Sequence, residues 1–165
     1  MPYQTEDNVR EAFAGESQAN RRYAFFAERA DKEGLPQLAR LFRAVAEAET
    51  IHAHKHLRTM DGVKSTKENI KDALAGETHE VKSMYPQMIA EAKEEGEKSA
   101  EISFNYANEV EKMHAELYAM ALKDPDKVPV QDYYVCKICG ATIPKEAPDT
   151  CPVCGANKKA FFKVE

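Results

Sequence analysis

Apolar residues recur at helical spacing through most of the chain. In LARLFRAVAEAETIHAHKH, Leu38, Leu41, Phe42 and Val45 fall three or four apart and mark one helix face as the buried one. Glu49 and His52 continue that stripe, three residues apart on the same face. A carboxylate in an apolar interior costs several kcal/mol unless something cationic neutralises it. The pattern therefore asks for a buried positive partner.

Residues 5–123 read as four long helices, with breaks at Gly34-Leu35-Pro36, at Asp61-Gly62 and near Gly96. Pro36 suits the first turn of the second helix, where a missing N–H is harmless, and Ser65 with Glu68 has capping-box spacing at the start of the third. Phe25, Phe26, Phe42, Met84, Met88, Phe104, Met113 and Met120 recur at helical spacing and are expected in the core. The helical region also repeats itself. Gly15-Glu16 returns as Gly76-Glu77, Glu33-Gly34 as Glu95-Gly96, and Glu49-x-x-His52-Ala53 as Glu111-x-x-His114-Ala115. Alanine-rich acidic helices resemble each other by composition, but paired glycines, glutamates and histidines at matched spacing indicate one helical hairpin used twice.

After Leu122 the chain turns to KDPDKVPVQDYY, where Pro125 and Pro129 stop the helix and favour an extended connection. The tail then reads as short strands and turns around four cysteines. The expected organisation is an all-α four-helix bundle over 1–124, a linker over 125–132 and a small, mainly β, metal-binding domain over 133–165.

Composition narrows the function. The net charge of -5 over 165 residues, with basic residues interspersed among acidic ones, argues against a nucleic-acid partner. The start MPYQTEDNVR has no apolar signal-like run, and no segment is apolar enough to span a bilayer, so a soluble cytoplasmic protein with no membrane partner is expected.

The repeat accounts for the charged stripe. Two packed hairpins bring together one glutamate from each of two helices, Glu16 and Glu77, with an E-x-x-H pair from each of the others, Glu49 with His52 and Glu111 with His114. This is the di-iron or di-manganese arrangement of a ferritin-like bundle. Four carboxylates balance two divalent ions, Glu49 and Glu111 being best placed to bridge, and oxygen and nitrogen ligands without thiolate suit iron or manganese.

The repeat is imperfect in one place. Glu16 to Tyr23 spans seven residues, but Glu77 to Tyr85 spans eight, and one extra residue within a helix is usually absorbed as a π-bulge. Such a bulge is expected to swing Glu80 toward the metals as a fifth carboxylate, binding an oxidised iron where His52 binds the reduced one. Tyr23 and Tyr85 are candidates to hydrogen-bond a ligand carboxylate or a bound peroxide. His54, His56 and His79 lack repeat support and are expected at the surface.

In the tail, VCKICG and CPVCGA form two knuckles that bring Cys136, Cys139, Cys151 and Cys154 around one metal, with Gly140 and Gly155 letting the backbone fold over the sulfurs. Zinc and iron both accept four thiolates. A neighbouring redox site favours iron, giving three irons per chain, with zinc as the alternative in the cysteine site.

GESQANRRY, the two E-x-x-H motifs, GETHEVKSMYP and the two cysteine knuckles together resemble the rubrerythrin family over essentially the whole chain. The resemblance implies a ferritin-like domain and a rubredoxin-like domain. It implies a non-haem di-iron peroxidase that reduces hydrogen peroxide to water in oxidative-stress defence, fed by a rubredoxin or a flavoprotein reductase. It also implies that Glu16, Glu49, His52, Glu77, Glu80, Glu111 and His114 are di-iron ligands and that Tyr23 and Tyr85 line the site. The rival readings are a ferroxidase, an iron store, or a metal-sensing scaffold with a zinc tail. The short connection TMDGVKST invites exchange of hairpins between the subunits of a homodimer. A head-to-tail pair is expected to bring the tail of one chain near the bundle of the other, the linker holding the tail away from its own.

Overall fold

The computed structural model describes residues 3–165, the side chain of Tyr3 excepted. The helical part consists of α1 (Tyr3–Lys32), α2 (Pro36–Thr59), α3 (Thr66–His79), a π-helical turn (Glu80–Met84), α4 (Tyr85–Glu95) and α5 (Lys98–Lys123). α3, the π turn and α4 follow without a gap and make the third long helix.

The breaks fall where local chemistry demands them. Pro36 opens α2. Ser65 caps α3, accepting from the Glu68 N–H at 3.4 Å while the Glu68 carboxylate accepts from the Ser65 N–H at 3.2 Å, so two donors at the helix start are satisfied reciprocally. Gly96 ends α4 at φ 76°, a left-handed conformation that a Cβ would penalise.

The π turn lies in the segment with the extra residue. The Tyr85 N–H donates to the Glu80 carbonyl, five residues back. Pro86 follows immediately, and a proline there has no N–H to give and would clash with the preceding turn of an unbroken α-helix. The wider turn accommodates both the insertion and the proline.

The chain divides into two compact units, one up to Lys64 and one from Ser65 to Glu165. In the first, α1 and α2 form a hairpin tied by Asn20, whose Nδ2 donates to the Ala46 carbonyl at 2.8 Å and to Thr50 Oγ1 at 2.7 Å. Tyr23, Phe26 and Phe42 cluster beside it. In the second, α3 to α5 form the other hairpin, and the tail packs on α5.

Burial departs from the expected core. Among the described residues the buried positions of the helices are Ala27, Ala30, Ala39, Ala46, Ala53, Ala92 and Val110, and no Leu, Ile, Phe or Met is buried. Leu38 is 48% exposed and Leu41 58%, although their stripe was expected inside, and Phe25, Phe26 and Met120 are also exposed. The physical reason is that a helical hairpin covers only the strip where its two helices meet. An apolar stripe wider than that strip stays uncovered by the hairpin itself.

The residues expected to form a linker include a 3₁₀ turn at Pro125–Lys127, so the connection is less extended than its prolines suggest. A three-stranded antiparallel sheet follows: β1 (Tyr133–Cys136) lies between β2 (Thr142–Pro144) and β3 (Phe161–Val164). Tyr134 pairs with Ile143 on one side and Lys163 on the other. Val110 of α5 is buried against Cys136, Ala141 and Cys151, with Met113 and Phe161 packed around them. The tail therefore sits on α5 of its own chain, contrary to the expectation that the linker would hold it away. Its strands bury too little alone, and Val110 completes their core.

Candidate metal centres

Each hairpin builds the same triad. In the first, α1 supplies Glu16 and α2 supplies Glu49 and His52, one turn apart on a common face. His52 Nδ1 lies 3.0 Å from Glu49 Oε2 and 3.9 Å from Glu16 Oε1. In the second, α3 supplies Glu77 and α5 supplies Glu111 and His114. His114 Nδ1 lies 2.6 Å from Glu111 Oε2 and 3.9 Å from Glu77 Oε2. Within each triad a ligand atom from every residue lies within 4.8 Å of the others. The sequence repeat is thus a repeat of chemistry.

The electrostatics show what such crowding costs. A hydrogen bond to Glu49, then burial and the Glu49 charge, raise the Glu16 carboxyl above its usual range, while hydrogen bonds from His52 and Glu16 lower Glu49. Burial, then its hydrogen bond to Glu111 and the charges of Glu111 and Glu80, raise Glu77 to about 7. Like charges this close resist joint ionisation, and a divalent cation removes that resistance.

Glu80 stands outside the second triad but near it. It is half-buried, and burial followed by the Glu111 charge raises its carboxyl. The same surroundings act on Tyr85, raised by burial and then by Glu80, Glu111 and Glu77. Tyr85 is thus within reach of the charges of this carboxylate group, with Phe104 beside its ring. Tyr23 lies in the aromatic cluster of the first hairpin. His54 and His79 are exposed as expected, whereas His56 is half-buried and its charge lowers Glu16.

In the tail, the two knuckles share one geometry. The Gly140 N–H donates to the Cys136 carbonyl at 2.8 Å and the Gly155 N–H to the Cys151 carbonyl at 3.0 Å, with φ of 84° and 74° at the two glycines. The four thiols are free. Sγ of Cys136 lies 3.8 Å from that of Cys154, and Sγ of Cys139 lies 3.6 Å from that of Cys151. A tetrahedron with metal–sulfur bonds of about 2.3 Å has edges of roughly 3.8 Å, so the sulfurs already hold metal-site spacing. Burial pushes the Cys151 thiol up, but backbone N–H groups of Cys154 and Val153 and the neighbouring thiols bring it down to about 7. Burial raises Cys139. Backbone N–H groups of the second knuckle thus favour a thiolate at Cys151, the form that binds a metal.

Thr142 was missed by the sequence reading. Its Oγ1 lies 2.9 Å from His114 Nε2 and donates to the Gly140 carbonyl at 3.1 Å. No motif marks it; only the packing of the tail on α5 brings it there. Glu77, His114, Leu117, Tyr118, Tyr133 and Thr142 line a cavity of about 380 Å³ beside the triad.

Comparison with known proteins agrees with this architecture. Residues 7–122 match the Rubrerythrin family model, and residues 134–162 match the model of the rubrerythrin rubredoxin-like domain. The chain belongs to the rubrerythrin family. It is 36% identical to Rubrerythrin-2 of Clostridium acetobutylicum, with 95% of each chain covered. It is 34% identical to Nigerythrin of Nitratidesulfovibrio vulgaris, covering 95% of this chain and 85% of that one. A structure of nigerythrin in its fully reduced, all-ferrous state superimposes with a TM-score of 0.60 at 33% identity, covering 97% of this chain and 86% of that one. The fold class is accordingly an all-α ferritin-like region with a small, mainly β, rubredoxin-like domain. The chain carries a carboxylate and histidine group in each hairpin and a four-cysteine group in the tail, each able to hold a metal ion. Among the described residues, no helix is long and apolar enough to cross a membrane.

Proposed function

We propose that this rubrerythrin-family protein is a non-haem di-iron peroxidase that reduces hydrogen peroxide to water, with electrons entering through an iron held by Cys136, Cys139, Cys151 and Cys154. The observation that carries the reading is the packing of the four-cysteine domain directly on α5, the helix that supplies Glu111 and His114. A store or a passive scaffold has no need of a thiolate redox site against its carboxylate site. The four free thiols suit a reducing cytoplasm.

Glu16, Glu49, His52, Glu77, Glu111 and His114 would hold the iron pair, which supplies electrons and Lewis acidity to a bound peroxide. The residues themselves bind, orient and move protons. Glu49 and Glu111 would be shared by the two ions, and Glu16 and Glu77 would each serve one. Glu80, set on the π turn near Glu111, would serve as a fifth carboxylate toward an oxidised iron, in the exchange with His52 proposed from the sequence. Tyr85, beside Glu80, is placed to hydrogen-bond a ligand oxygen, and Tyr23 is proposed for the same task from the first hairpin. Reduction of hydrogen peroxide consumes two electrons and two protons per pair of waters formed.

We further infer that two copies complete the bundle by exchanging hairpins. Each triad belongs to one hairpin, and large apolar side chains such as Leu41 and Ile51 remain exposed on the first. The connection between the hairpins is short, and a homodimer places a second hairpin over such faces.

The test is anaerobic stoichiometry. Fully reduced protein mixed with peroxide should reoxidise both metal centres together and turn over repeatedly with a rubredoxin or flavoprotein reductase as donor. A single round of oxidation with release of ferric iron would instead mark a ferroxidase, and zinc in the cysteine site of protein from its native host would end the electron-inlet reading.

A further inference from the structure

His114 has two ring nitrogens with different neighbours. Nδ1 lies 2.6 Å from Glu111 Oε2, and Nε2 lies 2.9 Å from Thr142 Oγ1. A threonine hydroxyl has one hydrogen, and a backbone carbonyl can only accept one. The Thr142 hydroxyl donates to the Gly140 carbonyl at 3.1 Å, so it presents a lone pair to His114. Nε2 must then carry the imidazole hydrogen. Nδ1 is the nitrogen beside the carboxylates, and its 2.6 Å contact with Glu111 Oε2 needs a hydrogen between the two atoms, whose place a metal bound at Nδ1 would take. With the Nε2 hydrogen held on Thr142, Nδ1 is the nitrogen left for a metal.

We propose that Thr142 is a positioning residue for His114: reaching across from the cysteine domain, its hydroxyl locks the imidazole in the tautomer and orientation that present Nδ1 to a metal. The inference rests on the di-metal reading above and deepens it. Thr142 stands on β2, three residues after Cys139, and the carbonyl that orients its hydroxyl belongs to the first cysteine knuckle. The setting of a ligand in the helical hairpin therefore depends on the knuckle being folded. No hydroxyl of this kind stands against His52 among the described residues, and the His52 side chain is 55% exposed where that of His114 is 27%. The two E-x-x-H motifs, alike in sequence, differ in how firmly their imidazoles are held.

Thr142→Val tests this, because valine keeps the shape and the strand preference but has no hydroxyl, and Thr142→Ser restores the hydroxyl alone. The full chain, loaded with zinc so that it is diamagnetic and labelled with ¹⁵N-histidine, is read by NMR and by zinc competition with a chelator. In the wild type and in Thr142→Ser, His114 Nε2 should carry a slowly exchanging hydrogen. In Thr142→Val that protection should be lost, and zinc at the carboxylate site should bind about 10- to 100-fold more weakly, while zinc at the cysteine site binds as before. A Thr142→Val protein that keeps the protected Nε2 hydrogen and wild-type affinity would overturn the proposal. A wild-type carboxylate site that takes no zinc would count against the metal reading itself, and the exchange difference at Nε2 would still decide the role of Thr142.

Discussion

Tyr85 donates its backbone N–H to the carbonyl of Glu80, and this five-residue step turns Glu80 into a half-buried neighbour of Glu111. Glu80→Gln should leave the π turn and ferrous loading intact, since both side chains have the same size. Removing the ionisable carboxylate should lower peroxide turnover by about 10- to 100-fold. An anaerobic donor-coupled assay beside an iron titration checks both halves, and unchanged turnover would remove Glu80 from the mechanism.

The carboxyl of Glu77 is raised to about 7, and those of Glu16 and Glu80 are raised as well. A carboxyl that holds its proton more tightly when folded than when unfolded makes the folded state lose stability as pH rises from the unfolded value through the folded one. Metal-stripped protein should therefore melt roughly 5 °C lower at pH 8 than at pH 5.5. Metal binding needs the ionised groups, so loading should release protons below about pH 7 and reverse the trend. Thermal melts followed by circular dichroism, with and without metal, read both effects.

Exchange of hairpins makes a sharp prediction about mixed dimers. One variant carries Glu16→Ala and Glu49→Ala; the other carries Glu77→Ala and Glu111→Ala. Neither alone has an intact site. If each site takes one hairpin from each chain, a mixed dimer contains one site made wholly of unmodified hairpins. Refolding the two together should then recover about a quarter of wild-type turnover. No recovery, in a mixture shown by mass spectrometry to contain mixed dimers, would place both hairpins of a site in one chain.

The thiol of Cys151 sits near pH 7, held there by N–H groups of its own knuckle. Cys151→Ala leaves three sulfurs and a gap at the core against Val110. The variant should lose the thiolate-to-iron absorption, and turnover supported by a protein donor should fall at least about tenfold. The carboxylate site should still take up iron, and elemental analysis with visible spectroscopy separates the two centres.

Much of this was legible in the sequence because it repeats. Two E-x-x-H pairs at matched offsets identify a doubled hairpin, and a single extra residue between Glu77 and Tyr85 locates the π turn. The knuckles are local, so their spacing alone dictates the sulfur cluster. Exposure at Leu38 and Leu41 was not legible, since the apolar stripe records which face is covered in some assembly and not which chain covers it. The hydrogen bond between Thr142 and His114 joins residues 28 apart through a docking that no periodicity encodes.

In the first hairpin every buried position among the described residues is an alanine: Ala27, Ala30, Ala39, Ala46 and Ala53. Methyl groups let two helices approach closely, yet they withdraw little oily area from water, on the order of 1 kcal/mol each at best. Such a pair of helices is poorly insured against opening. If a second copy covers this hairpin, as proposed, its lifetime depends on abundance, and a cell that makes only a little of this protein would hold it in a form more open to proteolysis than the same chain at high copy number.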